Sequence, residues 1–284
     1  MVDAVPPGPP PSISDVPVPQ FELDLTADRI SCLACGGKLL GSDAYRRYLV
    51  CPNCGFHYNM PARQRISTLA DAGTFRETNP WIKSLDPLSF SPRIPYKVRL
   101  QRDALRTGLS EAAVTGVCTI GGTQAVLIVL DFGFLGGSMG IVVGEKVALA
   151  FETAILRKCP AIAVITSGGA RIQEGVLSLM QMAKTAFAVN ALHEKGLPLV
   201  AVLGNPSTGQ AFASFASLSD MIIAEPGAHI GFAPFRAVQE VAERKLASAM
   251  ARPMTMVTTP SKIRCISTTC TPRSCICWAW IICG

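Results

Sequence analysis

The sequence predicts an α/β protein in which a small four-cysteine module precedes one larger domain. Two Cys-x-x-Cys pairs stand close together near the N-terminus, at 32–35 and 51–54. From residue 110 onward, short apolar strand-like runs alternate with longer helix-like segments. Glycine clusters follow two of these runs, at 136–140 and 168–169. Repeated strand–turn–helix units of this kind are typical of α/β domains.

The length of 284 residues suits one sizeable core with a small accessory module. Residues 1–27 are rich in proline, which predicts a disordered leader. They lack the basic start and apolar run of a secretory signal, so we expect a cytoplasmic protein. No apolar run is long enough to span a bilayer, and no membrane partner is expected.

The formal net charge of +6 is unevenly distributed. Residues 108–250 carry ten acidic and nine basic side chains, whereas residues 28–107 are distinctly basic. A basic balance suits an anionic ligand such as a coenzyme A phosphate, and it equally suits nucleic acid. Charge alone leaves both alternatives open.

The four N-terminal cysteines predict a zinc ribbon over residues 28–59. Fifteen residues separate the Cys32–Cys35 pair from the Cys51–Cys54 pair, a spacing typical of four-cysteine zinc sites. Four thiolates fill the tetrahedral shell of Zn²⁺ and leave no position for water, so we expect one structural zinc ion. His57 is interpreted as a surface residue, with exchange into the ligand set as the alternative.

Nucleic-acid binding by the ribbon is a secondary alternative. Zinc ribbons commonly bind nucleic acid, and aromatic side chains would be needed for base stacking. The candidates are Tyr45, Tyr48, Phe56 and Tyr58, which do not form a clear run.

The segment 60–107 is predicted to be a helical and irregular connector. Helical periodicity is present within 61–73 and again within 96–107, and prolines break the stretch between them. We place the start of the larger domain near residue 108.

The larger domain is predicted to cover 108–250. A hairpin turns at Gly121–Gly122, and an amphipathic helix follows the first glycine cluster, with Val147, Phe151, Ala154 and Ile155 on one face. The expected strands are Ala113–Ile120, Gln124–Phe132, 161–166, Pro198–Leu203, Met221–Ala224 and His229–Phe232. A further helix is expected to run from the second glycine cluster to about Lys195.

The second glycine cluster is the candidate catalytic feature. Gly168, Gly169 and Ala170 follow a strand and precede a helix, which predicts consecutive main-chain N–H groups at a helix N-terminus. Such donors stabilise an oxyanion. The sequence has no G-x-S-x-G, H-E-x-x-H or Walker motif. We therefore expect oxyanion stabilisation rather than nucleophilic attack, with a merely structural tight turn as the alternative.

Residues 251–284 differ in composition from the rest of the chain. They contain no acidic residue and five of the eleven cysteines. Their cysteine spacings fit no common zinc pattern, and we interpret them as an atypical tail that leaves the domain C-terminally incomplete. A reading-frame change or truncation is favoured over a metal-binding tail.

Three motifs carry a specific resemblance. The segments FGFLGGSMGIVVGEK, SGGARIQEGVLSLMQMAKT and AEPGAHIGF, placed after a zinc ribbon, resemble the β subunits of bacterial acetyl-CoA carboxylase carboxyltransferases. The resemblance runs from about Ile30 to Leu246. It implies a crotonase-like (ClpP/crotonase) domain of repeated ββα units. It also implies carboxyl transfer from carboxybiotin to acetyl-CoA, giving malonyl-CoA for fatty acid synthesis.

The resemblance further implies partners and cofactors. These are a carboxyltransferase α subunit in an α2β2 heterotetramer, a biotin carboxyl carrier protein that brings the biotin, and biotin carboxylase. The complex as a whole would bind ATP as a nucleotide. The base would come with the biotin, and the basic ribbon would lie over the active-site entrance.

Site roles follow from the same resemblance. The oxyanion donors would be the amides of Gly168, Gly169 and Ala170. The acyl-CoA pocket would be shaped by Gly136, Gly137, Ser138, Met139 and Gly140. Arg171 would either hold a coenzyme A phosphate or brace the turn through its neighbours.

The chain departs from the family pattern at two turns. Thr208-Gly209-Gln210-Ala211 stands where the family has Thr/Met-Gly-Gly-Val, so glutamine replaces the second glycine. The stretch 231–236 is one glycine short of the family's GFAGPR. Alternative functions are therefore a malonyl-thioester decarboxylase and an inactive or regulatory paralogue.

Overall fold

A computed structural model of the chain describes residues 30–90 and 94–233, together with the backbone of 263–265 and 279–281. The predicted leader, residues 234–250 and the side chains of the predicted tail lie outside the described residues. Those two short backbone segments, β8 (Ile263–Cys265) and β9 (Ala279–Ile281), pair antiparallel.

The helices and strands before the larger domain are few and short. They are α1 (Asp43–Tyr48), α2 (Ala62–Leu69), β1 (Arg76–Thr78) and α3 (Tyr96–Thr107). The predicted connector thus contains both expected helices. It also contributes β1, which the sequence did not predict, as an edge strand of the main sheet.

The larger domain alternates strands and helices. Its elements are β2 (Ala113–Ile120), β3 (Thr123–Leu130), α4 (Ile141–Arg157), β4 (Ala161–Ser167), α5 (Val176–Glu194), β5 (Leu199–Thr208), α6 (Gly209–Ala211), β6 (Met221–Ala224) and β7 (Ile230–Gly231). A π-helical turn over Phe212–Ala216 follows α6.

The larger domain is built on one sheet of seven strands. Its order is β1-β2-β3-β4-β5-β6, with β7 pairing the C-terminal end of β5. The first three strands pair antiparallel, and β3 to β6 pair parallel. Since the carboxyl ends of parallel strands meet at one edge, the turns after β3, β4 and β5 lie near each other.

The β2–β3 hairpin forms as predicted. Gly121 and Gly122 both have positive φ, which suits the two-residue turn between paired Ile120 and Thr123. Asp71 fixes this turn by accepting the N–H groups of both glycines, at 3.0 and 2.9 Å.

The core lies between the sheet and helices α4 and α5. Val147, Phe151 and Ala154 are buried on the predicted face of α4. Gly144 allows α5 to pack closely, since a side chain there would overlap Gln181. Connector residues Ala62 and Ile66 belong to the same core cluster, so the connector and the larger domain share one core.

Strand β5 extends further than the sequence predicted. The expected end was Leu203, but the strand continues to Thr208 because Ser207 pairs with both Ser167 and Ile230. Within the part of the chain that the structure describes, no helix is both long and apolar enough to cross a membrane.

Candidate active site and metal centre

The four N-terminal cysteines converge on one point. Their sulfur atoms all lie within 4.8 Å of one another, with Cys32–Cys54 at 3.8 Å and Cys35–Cys51 at 3.7 Å. Four sulfurs tetrahedrally placed 2.3 Å from a zinc ion are about 3.8 Å apart. The four cysteines therefore fit a tetrahedral metal ion.

Thiol ionisation within this cluster is uneven. Burial opposes ionisation of Cys32, but hydrogen bonds led by the Tyr58 hydroxyl bring its pKa down to about 6. Burial and the neighbouring sulfurs raise the pKa of Cys54 to about 12. Four adjacent thiolates repel each other, and a bound divalent cation would remove that penalty.

The ribbon has a small core of its own. Tyr45 is buried, and its ring meets Tyr58 edge-on at 5.5 Å, while Phe56 meets Tyr58 at 5.0 Å. Of the four aromatic residues considered for base stacking, only Tyr48 is exposed. This arrangement gives no support to the nucleic-acid alternative.

His57 ties the ribbon to the larger domain. Its Nδ1 lies 3.5 Å from Glu225 Oε1, and Arg65 Nη2 lies 2.7 Å from the same oxygen. His57 is thus only partly exposed and lies against a carboxylate, a contact that its interpretation as a surface residue did not include. It does not belong to the four-sulfur cluster.

The two predicted glycine turns lie side by side at the carboxyl edge of the sheet. Gly168 N donates to Gly136 O at 2.8 Å, and Met139 pairs with Ala170 in a parallel bridge. In that bridge Met139 N donates to Gly169 O at 2.8 Å, and Arg171 N donates to Met139 O at 3.0 Å. The structure thus brings the two turns together as one rigid unit.

Three main-chain amides were predicted to be oxyanion donors, and they differ in availability. Gly168 N is engaged by Gly136 O, so its expected role does not fit this geometry. Gly169 N meets Ser167 Oγ at 3.2 Å, which is a long hydrogen bond. Ala170 is partly exposed, and its N–H has no acceptor among the described residues.

The turn does not lead directly into a long helix, contrary to expectation. A short 3₁₀ turn, Ile172–Glu174, and Gly175 with φ of 56° come before α5, which begins at Val176. Gly168 and Gly169 are therefore not part of the first turn of α5. The stabilising power of the site depends on individual N–H groups instead.

Arg171 is completely buried. Its guanidinium binds Glu111 bidentately, at 2.7 and 3.0 Å, and donates to Ser138 O at 2.9 Å. It also donates to the connector hydroxyls of Ser84, at 3.0 Å, and Tyr96, at 3.3 Å. Of its two expected roles, this geometry fits bracing of the turn and not contact with a coenzyme A phosphate.

Charge around Arg171 is balanced internally. Burial opposes ionisation of Glu111, yet the Arg171 guanidinium holds the pKa of that carboxyl below its usual value. Glu174 Oε1 lies 3.5 Å from Arg171 Nη1 and accepts from Tyr96 at 2.6 Å, while its Oε2 accepts from Ile141 N at 2.5 Å. Burial foremost raises the pKa of Tyr96. Arg171, Glu111, Glu174 and Tyr96 thus pair and hydrogen-bond with one another.

The residues of the predicted acyl-CoA pocket divide into two groups. Gly136 and Ser138 are partly exposed, whereas Gly137, Met139 and Gly140 are buried. A side chain at Gly137 would overlap Thr166 O, and one at Gly140 would come within 2.6 Å of Glu174. The buried group therefore packs the turn, and only the exposed group remains available to a ligand.

Sequence reasoning missed the residues that support the turns. Ser84, Tyr96, Glu111 and Glu174 are far apart in the chain and have no motif spacing. Ser178 was inside a recognised segment, but its contacts with Arg171 N, at 3.1 Å, and Met139 O, at 2.6 Å, were not foreseen. Gln210 was noticed only as a departure from a glycine.

Comparison with known proteins agrees with this architecture. Residues 59–262 match the family model described as the carboxyl transferase domain. The acetyl-coenzyme A carboxylase carboxyl transferase subunit beta of Thermus thermophilus is 45% identical over 221 residues, which are 78% of this chain and 77% of that protein. Its counterpart in Desulforamulus reducens is 47% identical over 223 residues, 78% of this chain and 76% of that protein.

Solved structures show the same fold. A transcarboxylase 12S with methylmalonyl-coenzyme A bound aligns with a TM-score of 0.55 and 29% identity, over 68% of this chain and 34% of that chain. The Pseudomonas malonate decarboxylase hetero-tetramer in complex with malonate aligns with a TM-score of 0.54 and 28% identity, over 64% of each chain. The chain spans only about a third of the transcarboxylase polypeptide.

The fold is that of a crotonase-like α/β carboxyl transferase domain, as the sequence predicted. The chain belongs to the carboxyl transferase family, and its relatives over three quarters of its length are the acetyl-CoA carboxylase carboxyl transferase β subunits. The resemblance stated from the motifs is thereby confirmed. The ATP- and nucleotide-binding role expected of the complex finds no support for this chain in these comparisons.

Proposed function

We propose that this chain transfers a carboxyl group from carboxybiotin to acetyl-CoA and so forms malonyl-CoA. The observation that carries the proposal is the Ala170 N–H, which lies at a partly exposed turn and has no acceptor among residues 30–90 and 94–233. The names of relatives that are 45% and 47% identical to this chain, over 221 and 223 aligned residues, support the substrate.

The proposed role of the turn is to stabilise an enolate. When the acetyl thioester loses a methyl proton, negative charge develops on the thioester oxygen. A fixed N–H donor stabilises that charge without having to reorganise. We assign this role to Ala170 N and a weaker one to Gly169 N, whose bond to Ser167 Oγ is long at 3.2 Å. Gly168 is not used, because its N–H is already bonded.

The base is proposed to come from outside this chain. The ionisable side chains beside the turns, Arg171, Glu111 and Glu174, are buried and paired with one another. Biotin, carried on a separate carrier protein, would supply both the carboxyl group and the base. Residues Gly136 and Ser138 would form the wall along which the acyl group lies.

The four-cysteine cluster is proposed to hold one structural zinc ion. The sulfur separations of 3.7 and 3.8 Å fit that ion, and all four ligand positions are taken by sulfur. The Glu225 contacts with His57 and Arg65 would then keep the folded ribbon against the domain.

Helix α5 is proposed to dock a partner subunit. Its buried residues are the polar Ser178, Gln181 and Thr185 in the first half and the apolar Ala188, Val189 and Leu192 in the second half. Met180 is 60% and Phe187 76% exposed. Large apolar side chains that remain exposed along one helix suit a protein interface.

The partner is proposed to be a carboxyl transferase α subunit, in a cytoplasmic α2β2 assembly with biotin carboxyl carrier protein and biotin carboxylase. A Salinispora tropica relative that is 46% identical over 215 residues is named for subunits beta/alpha, and this chain covers 38% of it. That name supports a functional unit made of both subunits.

The proposal is tested by mixing the purified chain with a bacterial carboxyl transferase α subunit. Malonyl-CoA and free biotin are supplied, and biotin-dependent formation of acetyl-CoA is followed. We expect turnover only in the mixture and only with biotin. A zinc-loaded mixture that forms a complex and shows no turnover would overturn the proposed activity.

A second candidate is decarboxylation of a malonyl thioester by the same turns. The likeness to malonate decarboxylase favours it as an alternative. The same mixture without biotin separates the two reactions, because only a decarboxylase releases CO₂ from malonyl-CoA under that condition.

A further inference from the structure

Gln210 is a buried polar residue to which the proposed carboxyl transfer assigns no role. It is 3% exposed and follows Gly209, which lies against the candidate turn. A side chain at Gly209 would come within 2.5 Å of Gly169 Cα, so only glycine permits this approach. Gln210 O also accepts from Ser214 Oγ at 2.6 Å, and the main chain of residue 210 is thereby fixed.

The Gln210 side-chain amide ends beside the turn. Its Oε1 lies 3.2 Å from Ser178 Oγ. That hydroxyl oxygen lies 3.1 Å from Arg171 N, the amide next to Ala170, and 2.6 Å from Met139 O. The Gln210 amide is thereby connected, through the Ser178 hydroxyl, to the main-chain N–H of the residue that follows Ala170.

The Gln210 side-chain amide has more N–H donors than it has acceptors for them. Ser178 has a single proton, and the short 2.6 Å contact directs it to Met139 O. The side-chain amide of Gln210 has two N–H donors. If its oxygen and nitrogen exchange positions, at most one of these donors reaches Ser178 Oγ. As placed, Gln210 Nε2 is buried and has no partner among the described residues. At least one N–H is free in either orientation.

A buried amide donor without a partner destabilises the fold by about 1–3 kcal/mol. A glycine at this position would carry no such cost. The unused donor therefore calls for an acceptor that does not come from the described residues. An N–H group beside the candidate turn suits an oxygen atom that is neutral or negatively charged.

We propose that Gln210 is a specificity-determining residue whose side-chain N–H binds the acyl thioester oxygen beside the Ala170 N–H. The inference rests on the proposed function and extends it to a second, side-chain donor. Two donors would then hold the oxygen on which negative charge develops. The side chain would also narrow the space that a glycine leaves open, which favours the short acetyl group over longer acyl groups.

The test compares Gln210→Met with the wild-type chain, both assembled with the α subunit. Methionine keeps the length of the side chain and removes the N–H. We expect kcat/KM for malonyl-CoA to fall about 10²-fold. Gln210→Gly should also be impaired, and it should accept methylmalonyl-CoA, the carboxylated form of propionyl-CoA, more readily than the wild type does. The matched control is Gln181→Met, a buried glutamine packed against Gly144, which we expect to retain wild-type kcat/KM.

Each outcome decides the inference. A kcat/KM for Gln210→Met within about twofold of wild type would overturn it and leave the proposed function intact, because a trapped water would then satisfy the amide. If the wild-type mixture shows no turnover, the proposed function fails, and equilibrium binding of acetyl-CoA to the same variants takes over as the measurement. Equal affinities for wild type and Gln210→Met would then overturn the role of Gln210.

Discussion

Breaking the Glu111–Arg171 ion pair should strongly destabilise this chain, because it leaves one buried charge without its partner. Both side chains are completely buried, and two hydrogen bonds of 2.7 and 3.0 Å join them. Removing one partner of a buried ion pair typically destabilises a protein by about 3–5 kcal/mol. In Glu111→Gln, Arg171 keeps Glu174 at 3.5 Å and one amide oxygen as acceptor. We therefore expect a loss of about 2–4 kcal/mol.

Urea unfolding of Glu111→Gln, followed by circular dichroism, measures this loss. The matched control is Glu145→Gln, which breaks the exposed ion pair between Glu145 and Lys184 and should change the free energy of unfolding by less than about 1 kcal/mol. Equal midpoints and slopes for the two variants would refute the view that Arg171 braces the two turns. Restored stability in Glu111→Asp is not expected, because the shorter side chain cannot keep both contacts.

Three further predictions follow from the ribbon and the outer face of α5. Native mass spectrometry should find about one zinc ion per chain in the wild type and none in Cys51→Ser. A full-length wild-type chain without zinc would contradict the proposal that the four cysteines bind this ion. Burial opposes ionisation of Glu225, but its neighbours His57 and Arg65 hold the pKa of this carboxyl below its usual value. The ionised carboxylate therefore stabilises the fold above the ordinary glutamate pKa, and this stabilisation is lost as the pH falls through the pKa of the folded state. Unfolding measured from about pH 6 to about pH 3 should therefore show a smaller acid loss for Glu225→Gln than for wild type, and identical pH profiles would refute this assignment. Phe187→Glu should weaken binding to the α subunit about 10-fold or more, as measured by sedimentation. The control is Leu156→Glu, which changes an exposed apolar residue of α4 and should leave binding unchanged. Unchanged binding by Phe187→Glu would show that α5 is not the docking face.

The larger domain was predictable because its signals are local. The period of apolar residues in β2 to β6, the Gly121–Gly122 turn and the face of α4 each follow from neighbouring residues. The cysteine spacing similarly predicts the cluster of four sulfur atoms, since two short knuckles need only a hairpin to meet. Strand β1 was missed because its three residues are held by pairing with β2 and carry no pattern of their own.

The candidate site was predictable only in outline. The glycine pairs marked both turns, but the hydrogen bonds between them depend on strands β3 and β4 lying next to each other. That contact uses Gly168 N and leaves Ala170 N free, a distinction that no local pattern contains. The burial of Arg171 is likewise a tertiary effect, because its partners Ser84, Tyr96 and Glu111 come from the connector and the start of β2.

The central claim is that the main-chain N–H of Ala170 stabilises the reacting oxygen. Replacing Ala170 by lactic acid converts its amide to an ester, which removes that N–H and somewhat weakens Gly169 O as the acceptor of Met139 N. In the assembled enzyme we predict that kcat for carboxyl transfer falls by about 10²–10³-fold with little change in stability. The same replacement at Gly168, whose N–H bonds Gly136 O at 2.8 Å, should instead lower stability and leave kcat much less affected. An unchanged kcat for the ester at residue 170 would contradict the account.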